Sequence, residues 1–265
     1  MSTSFSLAVV GGGNMGAALV SGLLSSGAVG VDDLVIVEVL AARREQLVAM
    51  FPGVAVVDEL PGCSAAVIAV KPQHVPAAVA IAVSRGARRL LSIAAGVTIR
   101  TLEAAAGDGV AVVRSMPNTP AMVGEGASAI AAGTHATESD VAWAETVLGS
   151  VGLVVRVDEA HLDAVTGLAG SGPAYVFLIA EALMHAGVEA GLPVDTVDAL
   201  VRQLLVGSAA LLARGDDPAE LRAKVTSPGG TTAAGIAVLE SREVRAAFAA
   251  AVRAATERGR ELGRQ

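Results

Sequence analysis

Phe5-Ser6-Leu7-Ala8-Val9-Val10-Gly11-Gly12-Gly13-Asn14-Met15-Gly16 is the stretch on which the fold turns. Phe5–Val10 has the length and composition of a buried strand, and Gly16–Ser25 reads as a helix. The glycines between them match G-x-G-x-x-G in the strand-to-helix context that this motif requires. Gly11 is expected to allow the tight turn, Gly13 to let a pyrophosphate approach the backbone, and Gly16 to let the helix pack on the sheet. Asn14 and Met15 open that helix, whose free N–H groups and dipole favour a phosphate. The motif therefore predicts a dinucleotide such as NADPH or NADH.

Outward from this unit, short β-rich runs alternate with helical patterns, the sign of βαβ units and a mostly parallel sheet. Strands are expected at Leu34–Val37, Val54–Val57, Ala66–Val70, Leu90–Ile93, Val110–Arg114, Gly126–Ala132 and Leu153–Val157. Helices are expected at Ala41–Met50, Pro76–Ser84, Arg100–Ala105 and Glu138–Leu148. Runs of Val, Ile and Leu without alternation fit strands covered on both faces. After Asp158 no strand pattern remains. Ala174–Ala190, Val194–Leu212, Pro218–Val225, Ala233–Leu239 and Glu243–Leu262 read as helices. Pro173, Pro193 and Pro218 are expected in first turns, and Ser171 and Ser241 as caps. The chain is thus predicted to be α/β, a Rossmann-type doubly wound domain over 1–158 followed by an all-α domain over 159–265.

The 265 residues are 53% hydrophobic and 17% charged, ample for a core, and the net charge of −7 argues against a nucleic-acid surface. Cys63 is the only cysteine, so an intrachain disulfide and a cysteine metal cluster are excluded, and no His/Asp/Glu spacing suggests a metal. No charge occurs from Met1 to Val31, yet the basic region of a signal peptide is missing and Gly11–Gly13, Asn14 and Ser25-Ser26-Gly27 interrupt the run. A soluble, cytoplasmic protein without a membrane span is expected. Arg258, Arg260, Glu261 and Arg264 read as a solvated helix end.

Ligands of such sheets bind beyond the carboxyl ends of the strands. Glu38 lies there, 22 positions after Gly16. An acid at this place takes the ribose 2′-hydroxyl and favours NAD, whereas Arg43 and Arg44 would meet a 2′-phosphate; both alternatives stay open. Lys71-Pro72 puts a cation near the cofactor phosphates or ribose. Ala94-Ala95-Gly96 gives small residues against which a nicotinamide can lie. Ser115-Met116-Pro117-Asn118-Thr119-Pro120 is stiffened by its prolines and fixes Asn118 and Thr119. In the helical half, Gly170-Ser171-Gly172-Pro173-Ala174-Tyr175 reads as a loop entering a long helix. Ser227-Pro228-Gly229-Gly230-Thr231-Thr232 breaks a helical stretch with two glycines, each costing about 1 kcal/mol relative to alanine if helical. Ser227 as cap and Pro228 at the first helical position would leave the N–H groups of Gly229, Gly230 and Thr231 free for a small anion. His161 and His185 receive no role.

Together these residues resemble the pyrroline-5-carboxylate reductase family over nearly the whole chain, from Val9 to about Leu262. Gly11–Gly16, Val70-Lys71-Pro72, Ala94–Val97, Met116–Pro120, Gly170–Tyr175 and Ser227–Thr232 match in order, the last followed by Leu239-Glu240 and Arg245. The resemblance implies hydride transfer from NADPH or NADH to the imine carbon of 1-pyrroline-5-carboxylate, forming L-proline. It implies a homodimer interlocked through the helical domain, larger rings of dimers in some members, and an active site between the two domains. Ser171, Ser227, Gly229, Gly230, Thr231 and Thr232 are then substrate residues, with the Thr232 hydroxyl directed at the ring nitrogen. Ala169 departs from the serine of many relatives. A β-hydroxyacid dehydrogenase is the nearest rival, but the lysine such enzymes need is absent between Tyr175 and Gly191. A nicotinamide-binding sensor without turnover is a rival of another class, separable by cofactor oxidation.

Overall fold

A computed structural model describes Ser4–Gly263; Arg264, among the predicted tail charges, lies outside the described residues. The strands are β1 (Ser4–Val10), β2 (Leu34–Val37), β3 (Ala55–Val57), β4 (Gly62–Ile68), β5 (Arg89–Ser92), β6 (Ala111–Met116), β7 (Gly126–Ala132) and β8 (Gly152–Arg156). They form one sheet in the order β3-β2-β1-β4-β5-β6-β7-β8. Neighbours are parallel except β6 and β7. The order reverses between β1 and β4, which is the switch point of a doubly wound sheet. Every predicted strand is present. β4 is displaced most: it begins at Gly62 because Ser4 and Phe5 of β1 pair with Gly62 and Cys63, and it ends at Ile68, after which the Ala69 N–H donates to the Val10 carbonyl at 2.8 Å and Gly11 turns with a φ of +109°.

The helices of this part are α1 (Asn14–Ser25), α2 (Ala41–Met50), α3 (Val75–Ser84), α4 (Ile99–Ala106), α5 (Glu138–Gly149) and the short α6 (Leu162–Val165). Successive strand residues feed opposite faces, as the two-residue strand period requires. Leu7, Val9, Leu34, Ile36 and Val67 pack with α1, α2 and α5. Ala8, Val10, Val35, Val37 and Ile68 pack with α3 and α4. Cys63 is a core residue on the second face, 2% exposed, and burial pushes its thiol up to about 11.

Two polar clusters anchor helices to this sheet. At the start of α5, the N–H and hydroxyl of Thr137 donate to Asp140 at 2.9 and 2.6 Å, and Arg89 of β5 donates to the same carboxylate at 2.6 Å. Burial alone would raise the Asp140 pKa, but these hydrogen bonds outweigh it and hold the carboxyl below its ordinary value. Arg114 of β6, 5% exposed, meets Glu159 at 2.9 Å and Asp163 at 3.5 Å, and Glu159 also accepts the Ile99 N–H. Leu162 is fully buried among Ile99, Ala129 and Ala131.

This second cluster explains where the chain divides. One compact unit runs to Ser171 and takes in the end of the chain from Arg253; the other is Gly172–Val252. Charged and apolar contacts hold Glu159, Leu162 and Asp163 on the sheet, so the first compact unit extends beyond Asp158.

The second unit is built from α7 (Gly172–Glu189), α8 (Val194–Leu212), α9 (Pro218–Lys224), α10 (Thr231–Ser241) and the first half of α11 (Val244–Leu262). It contains no strand, as expected. α7 and α8 pack closely where Gly187 faces Val197, a Cβ at Gly187 falling 3.0 Å from the valine methyls. Asp217 caps α9 through the N–H groups of Ala219 and Glu220, with Pro218 in its first position. Two predicted starts are corrected. Pro193 is the cap residue of α8, outside the helix. Ser241 ends α10 instead of capping α11, because the chain reverses only at Glu243, whose φ is +55°. Large apolar side chains stay exposed along α7, α8 and α10, and α7 and α10 bury no residue fully. The continuous helical stretch Glu159–Glu189 is long and apolar enough to cross a membrane by length and composition.

Candidate active site

The glycine loop has the shape its sequence suggests. Gly11 has a φ of +109°, and an added Cβ would lie 2.6 Å from the Ala69 carbonyl oxygen. At Gly16 a Cβ would strike the Gly11 carbonyl oxygen at 2.1 Å, so this glycine packs the helix against its own entrance turn. At Gly13 nothing lies within 4 Å of the added atom. Gly13 is also the cap residue of α1; no side chain caps the helix and no acid stands in its first turn. The N–H groups of Asn14, Met15 and Gly16 therefore open toward space beside Gly13, a setting fit for a pyrophosphate.

Glu38, just past β2, accepts from the Gly12 N–H at 3.1 Å and the Leu40 N–H at 2.9 Å. Arg43 donates to the Gly12 carbonyl at 2.7 Å, and Arg44 to the carbonyls of Glu38 and Val39, both at 2.9 Å. Beside them opens a mainly apolar cleft of about 880 Å³, lined by Val37, Val39, Leu60, Val70, His74 and Ile81 among others. The cleft is assembled from the ends of β1, β2, β3 and β4 together with α3, and no local motif announces it. It suits a flat aromatic group such as adenine.

The remaining loops of this sheet edge follow β4, β5 and β6. Lys71 is exposed ahead of a 3-10 turn, Pro72–His74. Ala95 is exposed, but Gly96 faces the end of α11: a Cβ there would meet Leu262 and Gly263 at 3.4 Å. The backbone at Gly96 has a φ of +77°, the left-handed region that favours glycine. Asn118 accepts the Ala127 N–H at 2.8 Å and donates to the Ala169 carbonyl at 3.1 Å. Its side chain ties the loop after β6 to the π-helical turn Thr166–Gly170. That turn replaces the loop expected at Gly170. Met116 packs where a Gly170 side chain would be, 2.5 Å from its Cβ position, and Ser171 donates its N–H to the Thr166 carbonyl at 2.8 Å. The structure thus brings Gly11–Gly16, Glu38, Lys71-Pro72, Ala95-Gly96 and Asn118 to the carboxyl ends of the parallel strands, with Ser171 ending the π turn.

Ser227–Thr232 belongs to the second unit. Ser227 does not cap a helix and Pro228 does not begin one. The Ser227 carbonyl accepts the Gly230 N–H at 3.0 Å, so the four residues form a β-turn. Pro228 and Gly229 hold its centre, and the φ of +71° at Gly229 marks a type II turn. The helix starts one turn later, at Thr231, capped by the Gly230 backbone alone. Its free N–H groups are those of Thr231, Thr232 and Ala233, not those of Gly229 and Gly230. Both threonines are exposed. On either side, Glu240 accepts from Arg245 at 2.8 and 2.9 Å and lies 3.9 Å from Arg222 of α9. This cluster bridges the two helices that flank the turn. Among the described residues no group of His, Cys, Asp and Glu can hold a metal.

Residues 159–262 match the family described as pyrroline-5-carboxylate reductase dimerisation, and residues 6–113 match NADP oxidoreductase coenzyme F420-dependent. The pyrroline-5-carboxylate reductase of Synechocystis is 40% identical over 268 residues, covering 99% of this chain and all of that protein. That of Arabidopsis thaliana is 39% identical, over 98% of this chain and 96% of its own length. The solved reductase of Coxiella burnetii superposes with a TM-score of 0.89 at 32% identity, over 97% of this chain and 98% of that one. The Plasmodium falciparum enzyme, solved with NADP bound, gives 0.83 at 28% identity, over 99% and 100%. The chain belongs to the pyrroline-5-carboxylate reductase family.

Proposed function

We infer that the chain is an NAD(P)H-dependent oxidoreductase that reduces 1-pyrroline-5-carboxylate to L-proline, the last step of proline biosynthesis. The observation that carries this reading is the type II turn at Ser227–Gly230 leading into an uncapped helix with two exposed threonines, on a chain whose other unit is a dinucleotide fold. The substrate is a small cyclic imine with a carboxylate. It needs an anion site and a hydroxyl toward its ring nitrogen. The N–H groups of Thr231, Thr232 and Ala233 would hold the carboxylate. Ser171, Ser227, Gly229 and Gly230 shape the substrate side, the last three chiefly by fixing the turn.

Bound NAD(P)H supplies the hydride. Gly11, Gly13, Asn14, Met15 and Gly16 would hold its pyrophosphate, Glu38 and the neighbouring cleft its adenosine half, and Lys71 and Ala95 would lie along the rest. Pro72 fixes the backbone after Lys71. Gly96 and Asn118 act as positioning residues, since their contacts are to the chain itself. The Thr232 hydroxyl would donate toward the ring nitrogen or relay a water proton to it.

The exposed apolar faces of α7, α8 and α10 support a homodimer through the helical unit, and covering the α7 face in that dimer would account for the hydropathy of Glu159–Glu189 without a membrane. Rings of dimers and a cytoplasmic location complete the reading. Steady-state kinetics on Thr232→Val test the site. A charge-assisted hydrogen bond contributes about 1.5–3 kcal/mol, so turnover should fall about tenfold or more at unchanged melting temperature. Unchanged turnover and Michaelis constant would remove Thr232 from the mechanism.

A further inference from the structure

We propose that the chain prefers NADH to NADPH and that Glu38, rather than Arg43 or Arg44, sets the preference; this rests on the dinucleotide-dependent reading above. Two backbone donors hold the Glu38 carboxylate, the Gly12 N–H at 3.1 Å from one oxygen and the Leu40 N–H at 2.9 Å from the other. Each oxygen keeps a lone pair free, so the group can still accept from the adjacent hydroxyls of an adenosine ribose. A 2′-phosphate carries only acceptors and negative charge, and it would meet this carboxylate head-on. The carboxylate has no easy way to withdraw, because rotation would leave the N–H groups of Gly12 and Leu40 without their partner.

The two cations are already committed. Arg43 spans the Gly12 carbonyl, at 2.7 Å, and Gln46, at 2.8 Å. Arg44 grips the carbonyls of Glu38 and Val39 and pairs with Asp58 at 3.5 Å. Both therefore brace the turn after β2, and the charge of Arg44 is balanced from within the chain. Glu59 and Arg85 line the neighbouring cleft with opposite charges, so the cleft offers no surplus cation for a 2′-phosphate. A site built for a 2′-phosphate would present the opposite pattern, a free cation and no acid.

The test is calorimetric titration of the purified protein with ADP-ribose and with its 2′-phosphorylated form, which read the adenosine side without turnover. ADP-ribose should bind at least about tenfold more tightly. Glu38→Ser should narrow that ratio by about tenfold, mainly by strengthening the phosphorylated ligand. Glu38→Gln, which keeps the size and the acceptor oxygen, should shift it the same way if the serine variant does not fold. Arg43→Ala and Arg44→Ala should weaken both ligands alike. Equal or tighter binding of the phosphorylated form by the wild type overturns the proposal, as does selective loss of that form in either arginine variant. If the folded protein binds neither ligand, the dinucleotide reading itself fails, and the proposal with it.

Discussion

Gly13 and Gly16 occupy the same loop yet should fail in opposite ways when replaced by alanine. At Gly16 the new methyl would lie 2.1 Å from the Gly11 carbonyl oxygen. A backbone oxygen cannot rotate away as a side chain can, so either the turn or α1 must move. Overpacking costs about 1–3 kcal/mol, and the rigid neighbour puts this case at the upper end. About 3 kcal/mol corresponds to a fall of about 6–12 °C in melting temperature for a chain of this size. At Gly13 the methyl meets nothing within 4 Å, and its φ of −63° suits any residue. Restricting the unfolded chain contributes about 0.4–1 kcal/mol, and alanine is the poorer cap by a similar amount. The two effects oppose, so Gly13→Ala should melt within about 4 °C of the wild type. Its methyl nevertheless fills the space in which the pyrophosphate is proposed to sit. NADH affinity should fall by about tenfold or more, since 1.4 kcal/mol of lost contact suffices. Thermal denaturation and fluorescence titration with NADH measure the two quantities. Wild-type affinity in Gly13→Ala would refute the placement of the phosphate, and wild-type stability in Gly16→Ala would refute the steric argument.

The Asp140 carboxyl titrates below the unfolded value of about 3.9, so its stabilisation is complete above about pH 5 and disappears as pH falls through the lower folded value. Asp140→Asn should therefore cost about 1–3 kcal/mol at neutral pH and flatten the acid limb of urea midpoints measured against pH; an acid limb as steep as the wild type's would contradict the assignment. Leu200 and Leu204 are 56% and 53% exposed, one turn apart on α8. Their joint replacement by aspartate should dissociate the dimer in sedimentation equilibrium, and a dimer that survives would move the interface off this face.

The parallel half was legible because its signals are local. Strand runs and the glycine turn depend on neighbours within a few residues, and Leu34–Val37, Ala41–Met50 and Gly126–Ala132 have their predicted bounds. The site was legible as residue types but less so as geometry. Ser227 and Pro228 look like a cap and a first helical residue. A proline followed by glycine equally fits the centre of a type II turn, and only the backbone at Gly229 decides between them. Ala95-Gly96 and Asn118 read as ligand residues, and the structure adds that Gly96 lies beside the end of α11 and that Asn118 spans to Ala169. Those partners lie far along the chain, where local pattern carries no information.

By itself, then, the sequence determined a doubly wound sheet, a helical second half, a dinucleotide turn and the family. Periodicity and turn chemistry act over short distances, and six ordered motifs leave little freedom. Only the tertiary structure decided that Glu159 and Asp163 are tied to the sheet, because the buried Arg114 reaches both across the fold. It alone revealed the cleft beside Glu38, since a concave surface exists only once separate strand ends meet. It also turned Glu38, Arg43 and Arg44 from three open alternatives into one network, because hydrogen-bond partners are a property of position in space.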